Sequence, residues 1–196
     1  MKKDILIVKN ITRETPAGMQ PLIEAHHDSF DIVELDLGQP FPDPTDYRAL
    51  IVLGGPDSAN DETPKMLEEV IRVREAIEFG TPYLGICLGL QVAVKAMGGR
   101  VVKSPIKEVG FRDPNGEYLA VDLTEAGQND PFLNGLPTHF KTFELHGEMV
   151  ELTPGMQLLG TGAFCRNQIV KIAPKAYGFQ CHFEITPELL ETLLQK

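Results

Sequence analysis

The hydrophobic positions of the chain first gather into short, nearly unbroken runs: DILIVK (4–9), FDIVELDL (30–37), ALIVLGG (49–55) and PYLGI (82–86). Runs this short, with little polar alternation, predict strands covered on both faces, as in a parallel sheet. Between the last two lies TPKMLEEVIRVREAIEFG, where Met66, Leu67, Val70, Ile71, Val73 and Ile77 recur at helical spacing and predict one apolar stripe. Thr63 ahead of Pro64 supplies a start signal and Gly80 a stop. The resulting β-α-β alternation predicts a doubly wound α/β sheet for the first half.

The pattern changes after residue 117. YLAVDL, HFKTFEL, MQLLGTG, NQIVKI and YGFQCHF follow one another closely, with turn sequences such as DPNG and TPG nearby and little room for crossover helices. They predict an antiparallel section added to a mostly parallel sheet with helices on both faces. TPELLETLLQK predicts a last helix, capped by Thr186 and opened by Pro187. No repeat, linker or low-complexity tract interrupts the chain, so a single domain over residues 1–196 is expected.

Composition narrows the picture. With 196 residues and 42% hydrophobic content, one sizeable core can be buried. The 18 Lys and Arg against 28 Asp and Glu give a net charge of −10, which repels a phosphate backbone and an anionic membrane. Neither nucleic acid nor membrane is expected as a partner. The three cysteines stand far apart, matching neither a disulfide framework nor zinc-ligand spacing, so no metal is expected and a reducing cytoplasm fits. The amino-terminal apolar run is broken by Lys9 and too short for a signal peptide, and no run approaches membrane-spanning length.

One cysteine has a distinctive setting. Gly85-Ile86-Cys87-Leu88-Gly89 is a G-x-C-x-G sequence at a strand-to-helix junction, the thiol counterpart of a nucleophile elbow. Flanking glycines let backbones pass closely at such a turn. The helix opening at Leu88 directs free N–H groups and its positive end towards the sulfur, where negative charge is stabilised. Cys165 and Cys181 lack this context and read as packed thiols. For a base, His26 and His27 sit in a polar helix end and His139 has no partner pattern, which leaves His146 and His182. In YGFQCHFEIT, His182 and Glu184 are separated by one residue on a predicted strand and so point to one side, whereas Cys181 points to the other. A carboxylate there can fix the tautomer of the imidazole.

YLGICLGLQ together with GFQCHFE is similar to the class I, triad-type glutamine amidotransferases, and VLGGPDSAND resembles their oxyanion loop. The likeness runs across the whole chain in the family's order, and IKEVGF and ELHGEMV look most like stand-alone relatives of the glutaminase domain of GMP synthetase. It implies a flavodoxin-like fold, no cofactor, and hydrolysis of the side-chain amide of glutamine. Cys87 would be the nucleophile, His182 the acid and base, Glu184 its orienting partner, and the N–H groups of Gly55 and Leu88 the oxyanion hole. Gly54, Gln91, Gly147 and Glu148 would contact the substrate, and His146 would position a loop. Two departures concern the acceptor more than the triad: Phe183 stands where proline is common, and Leu90 where GMP synthetase often has histidine.

LGGPDS also resembles a pyrophosphatase phosphate loop, but Leu53 replaces its first serine and Pro56 removes a backbone donor. The residues leave three functions open: an ammonia source for a partner synthetase, a stand-alone γ-glutamyl peptide or amide hydrolase, and a silent regulatory subunit.

Overall fold

The early apolar runs form strands β1 (Lys3–Lys9), β2 (Phe30–Glu34), β3 (Tyr47–Val52) and β4 (Tyr83–Ile86), interleaved with helices α1 (Gln20–Ala25) and α2 (Pro64–Phe79). Helix α3 (Leu88–Ala96) leaves β4 directly. There follow β5 (Arg100–Gly110), β6 (Ala120–Leu123), the short α4 (Glu125–Gln128), β7 (His139–Lys141), β8 (Glu144–Glu151), β9 (Gln157–Thr161), β10 (Ile169–Ala173), β11 (Ala176–Phe179) and α5 (Pro187–Leu194). The computed structural model describes residues 3–26 and 28–194.

A nine-stranded sheet runs β2-β1-β3-β4-β11-β10-β9-β6-β7. Its first five strands are parallel and the remaining pairings antiparallel. The unbroken apolar runs have a direct cause here: Leu6, Val8, Leu50 and Val52 face one core with α2 and α3. Alternate residues Ile7, Ile51, Leu53 and Ile86 face a second core with Cys87 and Met19. Both faces of these strands are covered, so polar alternation would have buried unpaired groups.

The doubly wound, mostly parallel α/β sheet with an added antiparallel section is therefore present, with corrections in detail. HFKTFEL is two strands in two sheets: β7 pairs with β6 at the edge of the large sheet, and β8 pairs with β5 in a separate two-stranded sheet. Strand β5 was not foreseen, because RVVKSPIKEVG mixes lysines and a proline. Its side chains alternate between more and less exposed positions, as suits a ribbon with one solvent face, and its register with β8 shifts between Lys103 and Glu108. Strand β11 lies parallel to β4, Gly178 opposite Gly85 and Phe179 opposite Ile86, and it ends before His182.

Helix α2 starts as expected, with the Thr63 hydroxyl accepting from the Met66 amide at 3.3 Å, and ends at Gly80 with φ of 84°. Its buried face matches the predicted stripe at Met66, Val73 and Ile77, with Val70 packed partly against the core, and departs from it elsewhere. Met66, Glu69, Val73, Ala76 and Ile77 are buried, whereas Leu67 and Ile71 are 51% and 52% exposed. The i, i+3, i+7 row from Met66 carries a glutamate, so apolar character alone selected the wrong neighbours. At the last helix the Thr186 hydroxyl accepts from the Leu189 amide at 3.2 Å, in the expected capping role.

Glu69 is fully buried; one of its carboxylate oxygens accepts from the Asn10 amide at 3.0 Å and the other makes no hydrogen bond. Burial, only partly offset by Asn10, pushes its carboxyl up to about 7. A carboxyl raised on folding contributes stability below its unfolded value and loses it as pH rises through the folded one. We expect chemical denaturation to show wild-type stability falling by roughly 3 kcal/mol between about pH 4.5 and 7 relative to Glu69→Gln, which keeps the Asn10 acceptor. Parallel stability profiles for the two proteins would contradict this.

Candidate active site

The site begins with a close approach of backbones. A Cβ on Gly85 would lie 2.5 Å from the Gly89 carbonyl carbon, and one on Gly89 would collide with the Val52 carbonyl oxygen. The two glycines of G-x-C-x-G therefore let α3 sit directly against β3 and β4. Cys87, between them, takes φ of 52° and ψ of −105°, a conformation side chains rarely adopt. Its amide donates to the Phe179 carbonyl at 2.7 Å, which ties the turn to β11. Cys87 is 6% exposed and lines a cleft of about 620 Å³.

His182 and Glu184 come to the sulfur from just beyond β11. The expected strand does not extend that far; instead the His182 amide donates to the Phe143 carbonyl at 2.9 Å, an isolated bridge that fixes the segment. His182 Nδ1 and Glu184 Oε1 are 2.7 Å apart, and both residues are buried. Since a carboxylate only accepts, Nδ1 carries the proton and Nε2 is the nitrogen left for chemistry. Nε2 makes no well-aligned hydrogen bond, yet it lies within electrostatic reach of Cys87. Burial alone would push this imidazole down; interaction with Cys87 and Glu184 outweighs burial and holds it well above the usual histidine range. A thiol coupled in this way to a cationic imidazole is the arrangement that favours nucleophilic attack followed by proton delivery.

Around this core the loop 53–58 closes one side. A Cβ on Gly55 would meet the Asn10 side chain at 2.5 Å and Leu88 at 3.1 Å, so Gly55 lies beside the first residue of α3. The Leu88 amide is in the first turn and has no partner within its helix. Gly54 packs against the Glu14 carboxylate and His182. The cleft is lined by Gly55, Gln91, Gly147 and Glu148 together with Arg13, Lys103 and Lys107, so both signs of charge face it. Gln91 donates to the Glu148 carbonyl at 3.3 Å and to the Gln180 side chain at 3.2 Å, and the Ser58 hydroxyl donates to the Glu148 carboxylate at 2.8 Å. In the LGGPDS segment the serine thus holds a carboxylate across the cleft.

Sequence reasoning missed Arg13, Ser58, Lys103 and Lys107 on the cleft wall, and Gln180 and Glu14 deeper in the site. Gln180 is fully buried and its amide donates to the Cys87 sulfur at 3.6 Å. The signal was a polar side chain inside an apolar strand, YGFQCHF. Glu14 is buried beside Gly54, its carboxyl pushed up by burial, with one oxygen lacking a partner. Nothing in its local sequence marks it. His146 lines the cleft, donating from Nδ1 to the Glu148 carbonyl at 2.9 Å, while its Nε2 stands 3.1 Å from Glu108 and 3.3 Å from Glu144. His139 pairs with Asp122 at the surface, and His26 is exposed. His27 lies outside the described residues. Cys165 and Cys181 are fully buried, and burial raises both thiols, that of Cys165 to about 12.

Among the described residues no helix is long and apolar enough to cross a membrane. Curated relatives include the glutamine amidotransferase-like protein YfeJ of Salmonella typhimurium, 33% identical over 159 residues that make up 79% of this chain and 64% of the relative. A subunit of the glutamine-hydrolysing GMP synthase of Thermococcus kodakarensis is 33% identical over 141 residues, 70% of this chain and 66% of that relative. The chain thus spans slightly less than two thirds of these relatives. The crystal structure of a glutamine amido transferase from Methylobacillus flagellatus superposes with a TM-score of 0.87 at 27% identity, covering 98% of this chain and 75% of that one. The family model for class-I glutamine amidotransferases matches residues 17–195, and with the elbow, cleft and sheet described above the protein belongs to that family.

Proposed function

We propose that the protein hydrolyses the side-chain amide of glutamine through a Cys87 thioester and supplies ammonia to a partner synthetase. The observation that carries this reading is the Cys87 thiol, held at a strained turn, coupled to a buried His182–Glu184 pair at 2.7 Å. The cleft supports the substrate class. A free amino acid brings an ammonium and a carboxylate, and Glu148 on one hand and Arg13, Lys103 and Lys107 on the other offer both complements. The relationship to one subunit of a GMP synthase, by its name a separate chain, supports a partner that consumes the ammonia.

In this mechanism the Cys87 thiolate adds to the carboxamide carbon, and the carbonyl oxygen becomes an oxyanion held by the Gly55 and Leu88 amides. Such donors act on charge that is complete only in the tetrahedral state. Imidazolium His182 protonates the nitrogen, the C–N bond breaks, and ammonia leaves behind a γ-glutamyl thioester. Neutral His182 then takes a proton from water, hydroxide adds to the thioester, and glutamate departs as the thiolate and imidazolium are restored. Gln180 orients the sulfur and Glu184 orients the base. Gly54, Gln91, Gly147 and Glu148 shape the amino-acid end of the cleft.

The test is ammonia release from glutamine by the purified chain, alone and with proteins that copurify with it, alongside a panel of γ-glutamyl amides and peptides. Glutamine turnover that rises when a copurifying synthetase is added supports the reading. Faster turnover of γ-glutamyl peptides without a partner would replace it with a stand-alone hydrolase, and absence of any thioester with every substrate would leave a regulatory subunit.

A glutamine-derived chloroketone is expected to alkylate Cys87 and to spare Cys165 and Cys181 on peptide mapping, and Cys87→Ser and His182→Ala are expected to reduce turnover to near background. The pH profile gives a separate check on Glu184. Because His182 is held well above the usual range partly by Glu184, the alkaline limb of kcat/KM lies well above pH 6.5 in the wild type. Glu184→Gln should move that limb towards lower pH, and an unmoved limb would remove Glu184 from the role assigned to it.

A further inference from the structure

The cleft wall hides a second cluster that the proposed reaction does not use. Glu108 on β5, His146 on β8 and Cys165 in the loop before β10 each offer a ligand atom, and these atoms lie within 4.8 Å of one another. All three residues are buried, at 3%, 7% and 0% exposure. We propose that Glu108, His146 and Cys165 form a binding site for one divalent ion of the zinc class.

The arrangement of protons points to this. His146 Nδ1 lies 2.9 Å from the Glu148 carbonyl, which can only accept, so Nδ1 carries a hydrogen and Nε2 is directed into the cluster. Nε2 stands 3.1 Å from Glu108 Oε2 and 3.3 Å from Glu144 Oε2, yet neither oxygen, nor Nε2 itself, has a well-formed hydrogen bond. Buried polar atoms left without hydrogen bonds are costly unless something else satisfies them. A tetrahedral ion with ligand bonds of about 2.0–2.3 Å spaces its ligand atoms roughly 3.3–3.6 Å apart; the nitrogen-to-oxygen separations of 3.1 and 3.3 Å are close to this, and the Cys165 sulfur, within 4.8 Å of Nε2 and the Glu108 carboxylate, closes in on binding. An imidazole that donates its other N–H to a backbone carbonyl has the usual outer-shell support of a metal-bound histidine.

The donor set narrows the ion. One nitrogen, one sulfur and carboxylate oxygen suit a borderline-soft cation better than calcium or magnesium, which take oxygen ligands. Glu144, fixed by the Thr142 hydroxyl at 2.8 Å, is the nearest further carboxylate for a fourth position. A cleft of about 220 Å³ lined by Glu108 and by Phe164, the neighbour of Cys165, provides a way in. The competing occupant is a proton: an imidazolium shared between two carboxylates fits the same space. A metal displaces that proton and the thiol proton, and it joins β5, β8 and the loop before β10 at one point. Because these ligands are drawn from three distant segments, their spacing in the sequence resembles no zinc motif.

The experiment is a cobalt(II) titration of the full chain after removal of metals by chelation, followed by absorbance. One equivalent should produce a thiolate-to-cobalt charge-transfer band and the visible absorption of tetrahedral cobalt. The band should persist in Cys87→Ser, vanish in Cys165→Ser, and require at least about tenfold more cobalt in Glu108→Gln. Should Cys165→Ser fail to fold, the wild type suffices: with Cys87 blocked by alkylation the band must remain, and zinc must raise the melting temperature, as for any ligand bound only by the native state. No band at stoichiometric cobalt overturns the proposal in favour of the shared proton. A band lost with Cys87 places the ion at the elbow and overturns it equally.

Discussion

Helix α3 lies so close to the sheet that neither Gly85 nor Gly89 has room for a single methyl group. That contact sets the position of the thiol and of the amides beside it. With α3 pressed against β3 and β4, the connection between strand and helix must be made in one residue, and Cys87 makes it at φ of 52°. The first turn of α3 then has its unpaired amides beside the sulfur, and Gly55 meets the same turn through Leu88. A strained backbone persists only where its surroundings over-determine it. Here they do so through the amide bond from Cys87 to Phe179 and through a helix with nearly every residue buried.

The second organising fact is that the polar groups buried around the elbow are linked to one another. His182 stands against Glu184, Gln91 against Gln180, and His146 against Glu108 and Glu144. Hydrogen bonds tie the last two groups to the cleft: Gln180 reaches Cys87, Gln91 reaches the Glu148 carbonyl, and His146 reaches the same carbonyl. In a low-dielectric interior such chains are held firmly when satisfied, and disruptive when one member is removed.

Much of this was legible from local sequence. The unbroken runs at 4–9 and 49–53 revealed two-sided burial, and G-x-C-x-G encoded the close approach because only glycine meets it. His-x-Glu was legible as a pair, although the strand expected to present it ends at Phe179 and a bridge to Phe143 holds it in place. What could not be read depends on distant neighbours. Glu69, outside the stripe expected for α2, is buried, and Asn10, fifty-nine positions away, meets it. Leu67 and Ile71 match the core in character alone, and nothing in α2 itself says that no element covers them. Glu14 and Gln180 acquire meaning only once the loop at Gly54 and the elbow are in place. Strand β5 was hidden by lysines that its solvent-facing side tolerates.

The ribbon of β5 and β8 is hydrogen-bonded separately from the nine-stranded sheet, and it is the ribbon that presents Lys103, Lys107, Gly147 and Glu148 to the cleft. The elbow and its base belong to the ends of β4 and β11. The thiol with its histidine–glutamate pair and the charged wall of the cleft therefore stand on two differently bonded frameworks, which meet among other places where β7 gives way to β8 at Phe143. Leu145 on the ribbon brings its carbonyl within 3.7 Å of the Cys87 sulfur, so the freedom lies on β5, where the shifted register between Lys103 and Glu108 leaves slack for changes that reshape the cleft wall. Such a division lets the charge and shape of the cleft wall be changed at Lys103 and Lys107 while the glycine-framed elbow stays as it is.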